Sequence, residues 1–477
     1  MNAKKTYVLA TLAALGLAAC SAEPDFRVAR PDDPPEAVLI SDVAVLDTGR
    51  GVRVAGRDVL LRDGRIAAIG LAGQLAAPEG ALQMAGTGAT LVPGLVDLHG
   101  HVNGSSAPLW ERSLADAERN LRSYLYAGVT TVLDPADARG AFERRERVAE
   151  GDLLGPRIFA AGPAHTAPGG HPVALVRQIA PWWLAWYLAP RVAVGLASAE
   201  EARAAADARA AEGADFVKVV VDQIPIEAPR VEREVLAALV GQARSHGLRS
   251  VAHIGSTQDA LDAAEAGVAA WVHGVSMERI PDDQIGRLVA YGIPMVPTLE
   301  VFDSYARLGD GPREPSRLER ETVAPELLAA FHPVPGPEDF DLGELRAWLD
   351  RNRETGADRL ANVARLHAAG LTILAGSDSQ PGVFPGPGLH RELHQLVRAG
   401  LTPVEAIQAA TRHAARFLAG GAEPDFGDVA VGMRADLILV EGDPTADVGA
   451  LEAIRFVFLA GVPLEREARP PAEAAGS

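Results

Sequence analysis

Short apolar runs alternate with longer amphipathic segments along most of this 477-residue chain. The longer segments, such as Ala199–Glu212 and Glu232–His246, have the composition and the hydrophobic period of helices. The short runs are predicted strands, and there are eight: Leu91–Leu98, Val129–Asp134, Arg157–Gly162, Phe216–Val221, Ser250–Ile254, Ala270–Gly274, Pro294–Leu299 and Thr372–Asp378. Eight strands that alternate with helices predict an α/β fold built on a (β/α)8 barrel, also called a TIM barrel.

The segments before and after the predicted barrel carry a different pattern, in which short strands are separated by Asp-Gly and Gly turns. The clearest of these strands are Ala37–Leu46, Asp58–Arg62, Ala435–Val440 and Ile454–Leu459. We therefore expect a small β-sandwich domain formed jointly by residues 37–92 and 422–466, with the barrel at 93–421 between them. Residues 467–477 are expected to be a disordered tail.

The first residues have the character of a signal peptide, predicted over residues 1–19. Lys4 and Lys5 give a positively charged start, and Tyr7–Ala19 is an apolar stretch of the length that secretory signals use. The stretch ends in Leu17-Ala18-Ala19-Cys20, which resembles the lipobox of bacterial lipoproteins. In those proteins the chain is cut before the cysteine, and the cysteine thiol is then acylated.

Cys20 is the only cysteine in the chain, which fits a covalent role better than a packing role. Ser21, rather than an acidic residue, follows it and matches the outer-membrane sorting pattern of these lipoproteins. Residues 20–36 are rich in proline and aspartate and are expected to be a flexible tether. The resemblance implies a lipid-anchored protein of a bacterial cell envelope, at the outer membrane and facing the periplasm. A plain secretory signal with an incidental cysteine is the alternative.

Net charge and cysteine content exclude several classes of protein. A net charge of −18 argues against a nucleic-acid partner, because nothing would neutralise the phosphates. One cysteine excludes a disulfide framework and a Cys-rich zinc site. No apolar run after residue 20 is long enough to span a bilayer, so membrane contact is expected only through the lipid anchor. The expected partner is a small molecule, and a homo-oligomer is compatible with the composition.

Lysine is nearly absent from a chain with 45 basic residues, and occurs only as Lys4, Lys5 and Lys218. Arginine stays protonated, whereas a lysine amine can lose its proton and become a nucleophile or a carbamate. Lys218 is therefore a candidate for a role that arginine cannot fill. The alternative is that Lys218 is an ordinary lysine that is present by chance.

Ionisable side chains lie in or directly after five of the predicted barrel strands, toward the end that carries function in barrels. Two histidines in the first of them are two residues apart, which places them on one face of the strand. Such strands normally bury apolar residues, so each ionisable group needs a partner or a metal. A fully hydrogen-bonded core network is the alternative. The candidates are His99, His101, Lys218, His253, His273 and Asp378.

Several motifs resemble the metal-dependent amidohydrolase superfamily, specifically its imidazolonepropionase-like and prolidase-like branch. They are Pro93–His101 (PGLVDLHGH), Gly376–Asp378 (GSD), Leu401–His413 (LTPVEAIQAATRH) and Gly432–Val440 (GMRADLILV). Together with the split β domain, the likeness covers essentially the whole chain after the signal peptide. It implies the same barrel with a small β domain that the hydrophobic pattern predicts.

The resemblance also implies a role for each candidate. His99, His101 and Asp378 would bind a first divalent metal ion, and His253 and His273 a second. Lys218 would bridge the two ions as a carbamate formed with carbon dioxide. Zinc suits imidazole and carboxylate ligands best, and manganese, cobalt or iron fit the same set.

The implied reaction is hydrolysis of an amide or peptide bond by a metal-activated hydroxide, with Asp378 as the group that transfers the proton. Small dipeptides or N-acyl amino acids are the expected substrates. A lactone, carbamate or phosphotriester hydrolase with the same metals is the alternative among enzymes. A non-catalytic binding lipoprotein on the same barrel is the alternative from another class, which six intact ligands disfavour.

Two connections are longer than a barrel requires, Pro163–Ser198 and Val301–Gly356, and long loops on this face often select substrates. His171 is a candidate contact for a substrate carboxylate. Trp182 and Trp183 either contact an apolar substrate side chain or pack an inserted helix. Asp97 either supports a metal ligand or caps its strand, and His390 with His394 is expected to form a surface pair on a helix.

Overall fold

The computed structural model describes residues 25–111, 113–137, 140–179, 185–187, 192–308, 310, 313–335 and 342–470. The predicted signal peptide and three predicted residues of interest, Cys20, Trp182 and Trp183, lie outside this part of the chain. Within it, no helix has both the length and the apolar character needed to cross a membrane.

Strands and helices alternate through the middle of the chain, as the hydrophobic pattern predicts. The strands are β1 (Arg27–Ala29), β2 (Ala37–Asp47), β3 (Val52–Arg62), β4 (Arg65–Leu71), β5 (Leu82–Ala85), β6 (Ala89–Pro93), β7 (Leu95–Asp97), β8 (Val129–Asp134), β9 (Arg157–Ala160), β10 (Ala164–Thr166), β11 (Ala193–Gly195), β12 (Phe216–Val220), β13 (Arg249–His253), β14 (Ala270–Val272), β15 (Met295–Val296), β16 (Leu437–Glu441), β17 (Ile454–Leu459), β18 (Val462–Pro463) and β19 (Glu465–Glu467). The α-helices are α1 (Ala117–Tyr126), α2 (Ala141–Glu150), α3 (Val173–Ile179), α4 (Ala199–Ala211), α5 (Arg233–Ser245), α6 (Thr257–Ala266), α7 (Asp282–Ala290), α8 (Leu299–Ala306), α9 (Arg317–Thr322), α10 (Pro325–Ala329), α11 (Leu345–Glu354), α12 (Gly356–Ala368), α13 (Pro387–Arg398), α14 (Pro403–Ala409) and α15 (Arg412–Ala419).

The barrel strands pair in parallel in the order in which they occur along the chain. One run is β7-β8-β9, and the other is β10-β12-β13-β14-β15 with β11 on its edge. The segment around Ile373 takes the eighth position, because Met295 N donates to Thr372 O and Leu98 N donates to Ala375 O. The first of these bonds joins the seventh position to the eighth and the second joins the eighth to the first, so the predicted (β/α)8 barrel is confirmed.

The third barrel position is divided between β9 and β10 rather than formed by one strand. Gly162 between them has φ 70°, and Pro163 has no N–H with which to continue the ladder. The link to the fourth position is kept by Asp215 N, which donates to Ala160 O. A Gly-Pro pair at the end of an apolar run therefore marks an interruption of this strand.

The small β domain is built from both ends of the chain, as predicted. Its strands hydrogen-bond in one eight-stranded sheet, in the order β18-β17-β16-β6-β2-β3-β4 with β5 on β2. Val38, Ile40, Leu91 and Phe458 belong to a buried core that is separate from the barrel core. Strand β6 passes directly into β7 through Gly94, where a Cβ would collide with Thr130. The first barrel strand is thereby anchored to the β domain.

Part of the segment predicted as a flexible tether is docked on the rest of the molecule, so that prediction is wrong for residues 26–29. Strand β1 pairs antiparallel with β19. Phe26 and Val28 are buried, and the Phe26 ring lies 5.5 Å from that of Tyr126 on α1. Two apolar side chains among the prolines and aspartates are enough to dock this segment on the barrel.

Candidate metal centre

The six side chains predicted from strand ends meet at the carboxyl end of the barrel. Five are buried, with exposed fractions of 9% or less, and His101 is partly exposed. All six line one cavity of about 410 Å³. The structure therefore brings together every metal ligand that the sequence predicted: His99, His101, Lys218, His253, His273 and Asp378.

Asp378 lies at the centre of the first group of donors. Its carboxylate oxygens are 3.0 Å from His101 Nε2, 3.5 Å from His99 Nε2 and 3.7 Å from His273 Nδ1. Asp378 Oδ1 nevertheless has no hydrogen-bond partner among the described residues. Metal ligands typically place nitrogen and oxygen atoms close together without hydrogen-bond geometry between them. The composition of this set, imidazoles with one carboxylate, fits a divalent ion.

Two of these donors sit on left-handed backbone. His273 has φ 64° and Asp378 has φ 53°, a region that residues other than glycine rarely adopt. His273 is held by a 2.6 Å hydrogen bond between Nδ1 and Thr298 Oγ1, and Asp378 N donates to His99 O at 2.7 Å. The surrounding bonds therefore hold both side chains in the site before any ligand binds.

Asp97 does not line the cavity but accepts hydrogen bonds from residues that carry or adjoin the candidate ligands. Its Oδ1 accepts from His99 N at 3.0 Å and from Ser377 N at 2.9 Å, and its Oδ2 accepts from Ser377 Oγ at 2.6 Å. The carboxylate thus ties the first barrel strand to the turn that carries Asp378. Of the two roles considered for Asp97, support of the ligands is the one that the structure shows.

Replacing Asp97 by asparagine is expected to weaken metal binding by about 10- to 100-fold, the usual effect of losing a group that orients ligands. The cause is that the amide cannot accept all three hydrogen bonds, so His99 and Asp378 lose their fixed relation. Competition with a chromophoric chelator measures the affinity. Asp58→Asn is the matched control, because Asp58 is also buried on backbone amides, but in the β domain. Equal loss in both variants would contradict this role for Asp97.

Lys218 lies in β12, where all five residues are buried. Its Nζ has no hydrogen-bond partner among the described residues. Burial lowers the pKa of this amine to about 7, against the opposing effect of the Asp378 and Asp222 carboxylates. An amine with this pKa is partly neutral at pH 7, and the neutral form is the one that reacts with carbon dioxide, so the environment is suited to a carbamate.

A second group of donors was not expected as a group. His171, Asp222 and His253 place their donor atoms within 4.8 Å of one another. Asp222 Oδ2 is 3.0 Å from His253 Nε2, and the His171 and His253 rings are 5.1 Å apart. Burial raises the pKa of Asp222 to about 6 and lowers that of His171 to about 4.

Asp222 is the site residue that sequence reasoning missed. It follows β12 closely, four residues after Lys218, and it is buried. The signal was present, because a carboxylate at the end of a buried barrel strand meets the same criterion as Asp378.

Two other histidines serve the fold. His165 is buried, and its Nδ1 is 3.0 Å from Lys218 O. His390 is also buried, with Nε2 2.8 Å from Ala127 O, so the prediction of a surface pair with His394 is wrong for His390. The apolar face of α13 packs on the barrel, which buries His390 with it.

The walls above these donors are apolar and come largely from the two long connections. The side chains include Leu109, Leu175, Val176, Ile224, Val301, Phe302, Tyr305, Leu345 and Trp348. Trp186 and Tyr187 are instead exposed, by 71% and 44%. A polar floor with apolar walls suits a substrate that combines a hydrolysable bond with a large apolar group.

Comparisons with known proteins identify the family. Residues 90–464 match the model of the amidohydrolase family, and the chain belongs to that family. It is 25% identical to ochratoxinase of Aspergillus niger over 399 residues, 77% of this chain and 73% of the relative. Imidazolonepropionase of Aeromonas hydrophila is 40% identical over 82 residues, 17% of this chain and 20% of the relative.

The fold also matches solved structures. A Xaa-Pro dipeptidase with methionine bound in its active site superposes with a TM-score of 0.70 over 90% of this chain and 99% of its own, at 21% identity. The predicted family and its imidazolonepropionase-like and prolidase-like neighbours are thereby confirmed. The chain is a metal-dependent hydrolase acting on C–N bonds.

Proposed function

We propose that this protein hydrolyses the amide or peptide bond of a small substrate with a large apolar group, such as a dipeptide or an N-acyl amino acid. The observation that carries the proposal is the buried cluster of histidine, aspartate and lysine at the floor of an apolar cavity of about 410 Å³. A cavity of this size accommodates a molecule of two amino-acid units.

The donors fit two divalent ions, zinc in the first place. Ions bound there would polarise a carbonyl and lower the pKa of a water molecule. His99, His253 and His273 would be neutral ligands, because burial holds the pKa of each well below its ordinary value. His101 would complete the set of imidazoles. A carbamate on Lys218 would add the negative charge that such ligands lack.

Asp378 is proposed to carry the proton. Its Oδ1 has no hydrogen-bond partner among the described residues, and the residue faces the cavity. A carboxylate so placed can accept a proton from the attacking water and donate it to the leaving amine. The turn that holds Asp378 is fixed through Asp97 and Ser377, so the carboxylate need not reorganise during the reaction.

A substrate screen tests the proposal. Zinc-reconstituted protein lacking residues 1–19 is incubated with a library of dipeptides and N-acyl amino acids, with a lactone, a carbamate and a phosphotriester as comparison compounds. Release of free amine from members with aromatic or branched side chains is the expected result. Turnover confined to the comparison compounds would overturn the amide assignment.

Trp348→Ala is expected to lower kcat/KM for aromatic substrates by about 10- to 100-fold, the equivalent of losing about 1.5–3 kcal/mol of apolar burial. Trp348 is buried in the cavity wall, so its truncation removes apolar surface that a bound aromatic group would contact. Substrates with glycine at that position should change little. Leu349→Ala is the control, because Leu349 is buried in the same helix without lining the cavity. A uniform fall for all substrates would indicate a packing role.

We further propose that the protein is attached to the bacterial cell envelope through an acylated Cys20, at the outer membrane. The support is the lipobox-like sequence and the single cysteine. Cys20→Ser should move the protein from the membrane fraction to the soluble fraction, because several acyl chains hold a protein far more firmly than one and the variant would carry none. Its hydrolytic activity should not fall, because the candidate metal ligands all lie in the barrel. Immunoblotting of fractions measures this, and unchanged fractionation would contradict lipidation.

A further inference from the structure

Three large apolar side chains beside the mouth of the cavity are exposed to solvent. Leu114 is 96% exposed and directly follows Ser113, which lines the cavity. Trp186 and Tyr187 are the others, and together we call the three residues the mouth surface. Single exposed apolar side chains are ordinary, whereas a group of them next to a pocket marks an interaction surface.

The aromatic part of the mouth surface belongs to an uncharged stretch of the chain. Trp186 and Tyr187 lie in the connection that leaves the cavity wall at Val176 and returns to it at Val192. Residues 178–190 of this connection contain no Asp, Glu, Lys, Arg or His. The Trp186 and Tyr187 rings are 6.1 Å apart and edge to face, so they form one exposed aromatic pair. Tryptophan and tyrosine are the side chains enriched where a membrane meets water.

The N-terminal segment is attached to the barrel on the face that carries the cavity mouth. The Asp25 carboxylate accepts hydrogen bonds of 2.8 and 3.1 Å from the Arg119 guanidinium, in the first turn of α1. Asn120, the next residue, donates to Val102 O and Gly104 O in the loop that follows the first barrel strand. Asp25 is therefore held at the carboxyl end of the barrel, where the cavity opens.

The acylation site proposed at Cys20 is consequently close to the mouth. Asp25 is five residues after Cys20, and five residues of chain span at most about 18 Å when fully extended. A lipid on Cys20 thus keeps the mouth face next to the bilayer, rather than the amino end of the barrel.

We propose that the mouth surface docks on the lipid bilayer to which Cys20 anchors the protein, so that the cavity opens at the membrane. This inference rests on the anchoring proposed for Cys20 and goes beyond the hydrolytic function. A weak contact is sufficient, because the anchor makes docking an intramolecular event with a high effective concentration. The side chains of Leu114, Trp186 and Tyr187 would enter the boundary between headgroups and acyl chains.

Charge indicates which bilayer fits. The chain has a net charge of −18, and exposed Glu111 lines the cavity mouth. A bilayer rich in acidic lipids would repel both, so the partner is a bilayer of zwitterionic phospholipids. The attraction comes from apolar side chains, and salt does not screen it as it screens attraction between charges. Docking should therefore be insensitive to ionic strength.

A quencher carried by the lipid measures the orientation of the anchored protein. The full chain, purified as the acylated lipoprotein, is reconstituted into phosphatidylethanolamine–phosphatidylcholine vesicles that contain a nitroxide-labelled phosphatidylcholine. Trp186→Cys and the control Val431→Cys, an exposed position in the β domain, are each labelled with a fluorophore. Acylation blocks Cys20, so the introduced thiol is the one that reacts. Quenching at position 186 should exceed that at position 431 at least about threefold, at low and at high salt.

A second reporter tests whether the aromatic pair causes the docking. Leu114→Cys is labelled in the same way, with and without Trp186→Ser and Tyr187→Ser. Removal of the pair should lower quenching at position 114 at least about threefold, because the apolar contact with the bilayer is lost. Tyr291→Ser is the matched control, since Tyr291 is also exposed but follows α7 at the amino end of the barrel. It should leave the quenching unchanged.

The possible results separate docking from anchoring. Equally weak quenching at positions 186 and 431 of the acylated protein would overturn the docking surface, as would unchanged quenching at position 114 without the aromatic pair. Absence of the acyl mass from the intact protein would overturn the anchoring on which the inference rests. A Cys20→Ser protein that is dimeric by light scattering, and monomeric once Trp186→Ser is added, would assign the mouth surface to a second copy of this chain instead.

Discussion

Lys218→Arg is expected to abolish hydrolysis as completely as Lys218→Ala, with a loss on the order of 10³-fold or more. The reason is chemical: a guanidinium neither loses its proton nor forms a carbamate, whereas the buried amine of Lys218, with its pKa lowered to about 7, can do both. Loss of the proposed carbamate would remove metal-based stabilisation worth on the order of several kcal/mol, which corresponds to a change of that order.

Two measurements check this expectation. Steady-state rates are compared for wild type, Lys218→Arg and Lys218→Ala, and the intact mass of wild type is recorded under native conditions to detect the added carbon dioxide. Short carboxylates such as formate should restore part of the rate in Lys218→Ala, because they can occupy the place of the carbamate. Near-normal turnover and full metal content in Lys218→Arg would contradict the carbamate and indicate an ordinary ion-pair role.

Asp378→Asn is expected to be at least as damaging, with a loss of about 10³-fold or more in kcat and weaker binding of the first metal ion. The Asp378 carboxylate lies within 3.7 Å of three imidazoles, those of His99, His101 and His273. The amide keeps the shape of the side chain but cannot accept a proton from water.

Rates and zinc content, measured on the same preparations, separate these two effects. If proton transfer matters most, Asp378→Asn loaded at saturating zinc stays inactive. If the residue serves only as a ligand, saturating zinc restores the rate. Asp215→Asn serves as a control, because Asp215 forms an ion pair with Arg145 at the other end of the barrel. Wild-type rates in Asp378→Asn would contradict both roles.

The sequence was sufficient to predict the barrel and to single out six side chains that the fold brings into one cavity. Each of those side chains lies in or next to a buried strand, where an ionisable side chain stands out against valine, alanine and leucine. The same criterion covers Asp222, which directly follows the predicted strand Phe216–Val221 but was not singled out. Burial, rather than strand membership, was the missing information.

The pairing of donors could not be predicted, since it depends on distances across the barrel. His273 and Asp378 come from different strands, and their relation depends on left-handed backbone at both residues and on the bond from His273 to Thr298. Likewise, the docking of Phe26 on Tyr126 depends on a surface that only the folded barrel provides.

The most direct test measures bound zinc and amide hydrolysis on one sample. Metal-free protein is titrated with zinc while release of amine from an aromatic N-acyl amino acid or dipeptide is followed. Hydrolysis should be absent without metal, should rise with bound zinc, and should level off when the two positions are filled. Undiminished hydrolysis by the metal-free protein, or none by the fully loaded protein across the substrate library, would contradict a metal-dependent amide hydrolase.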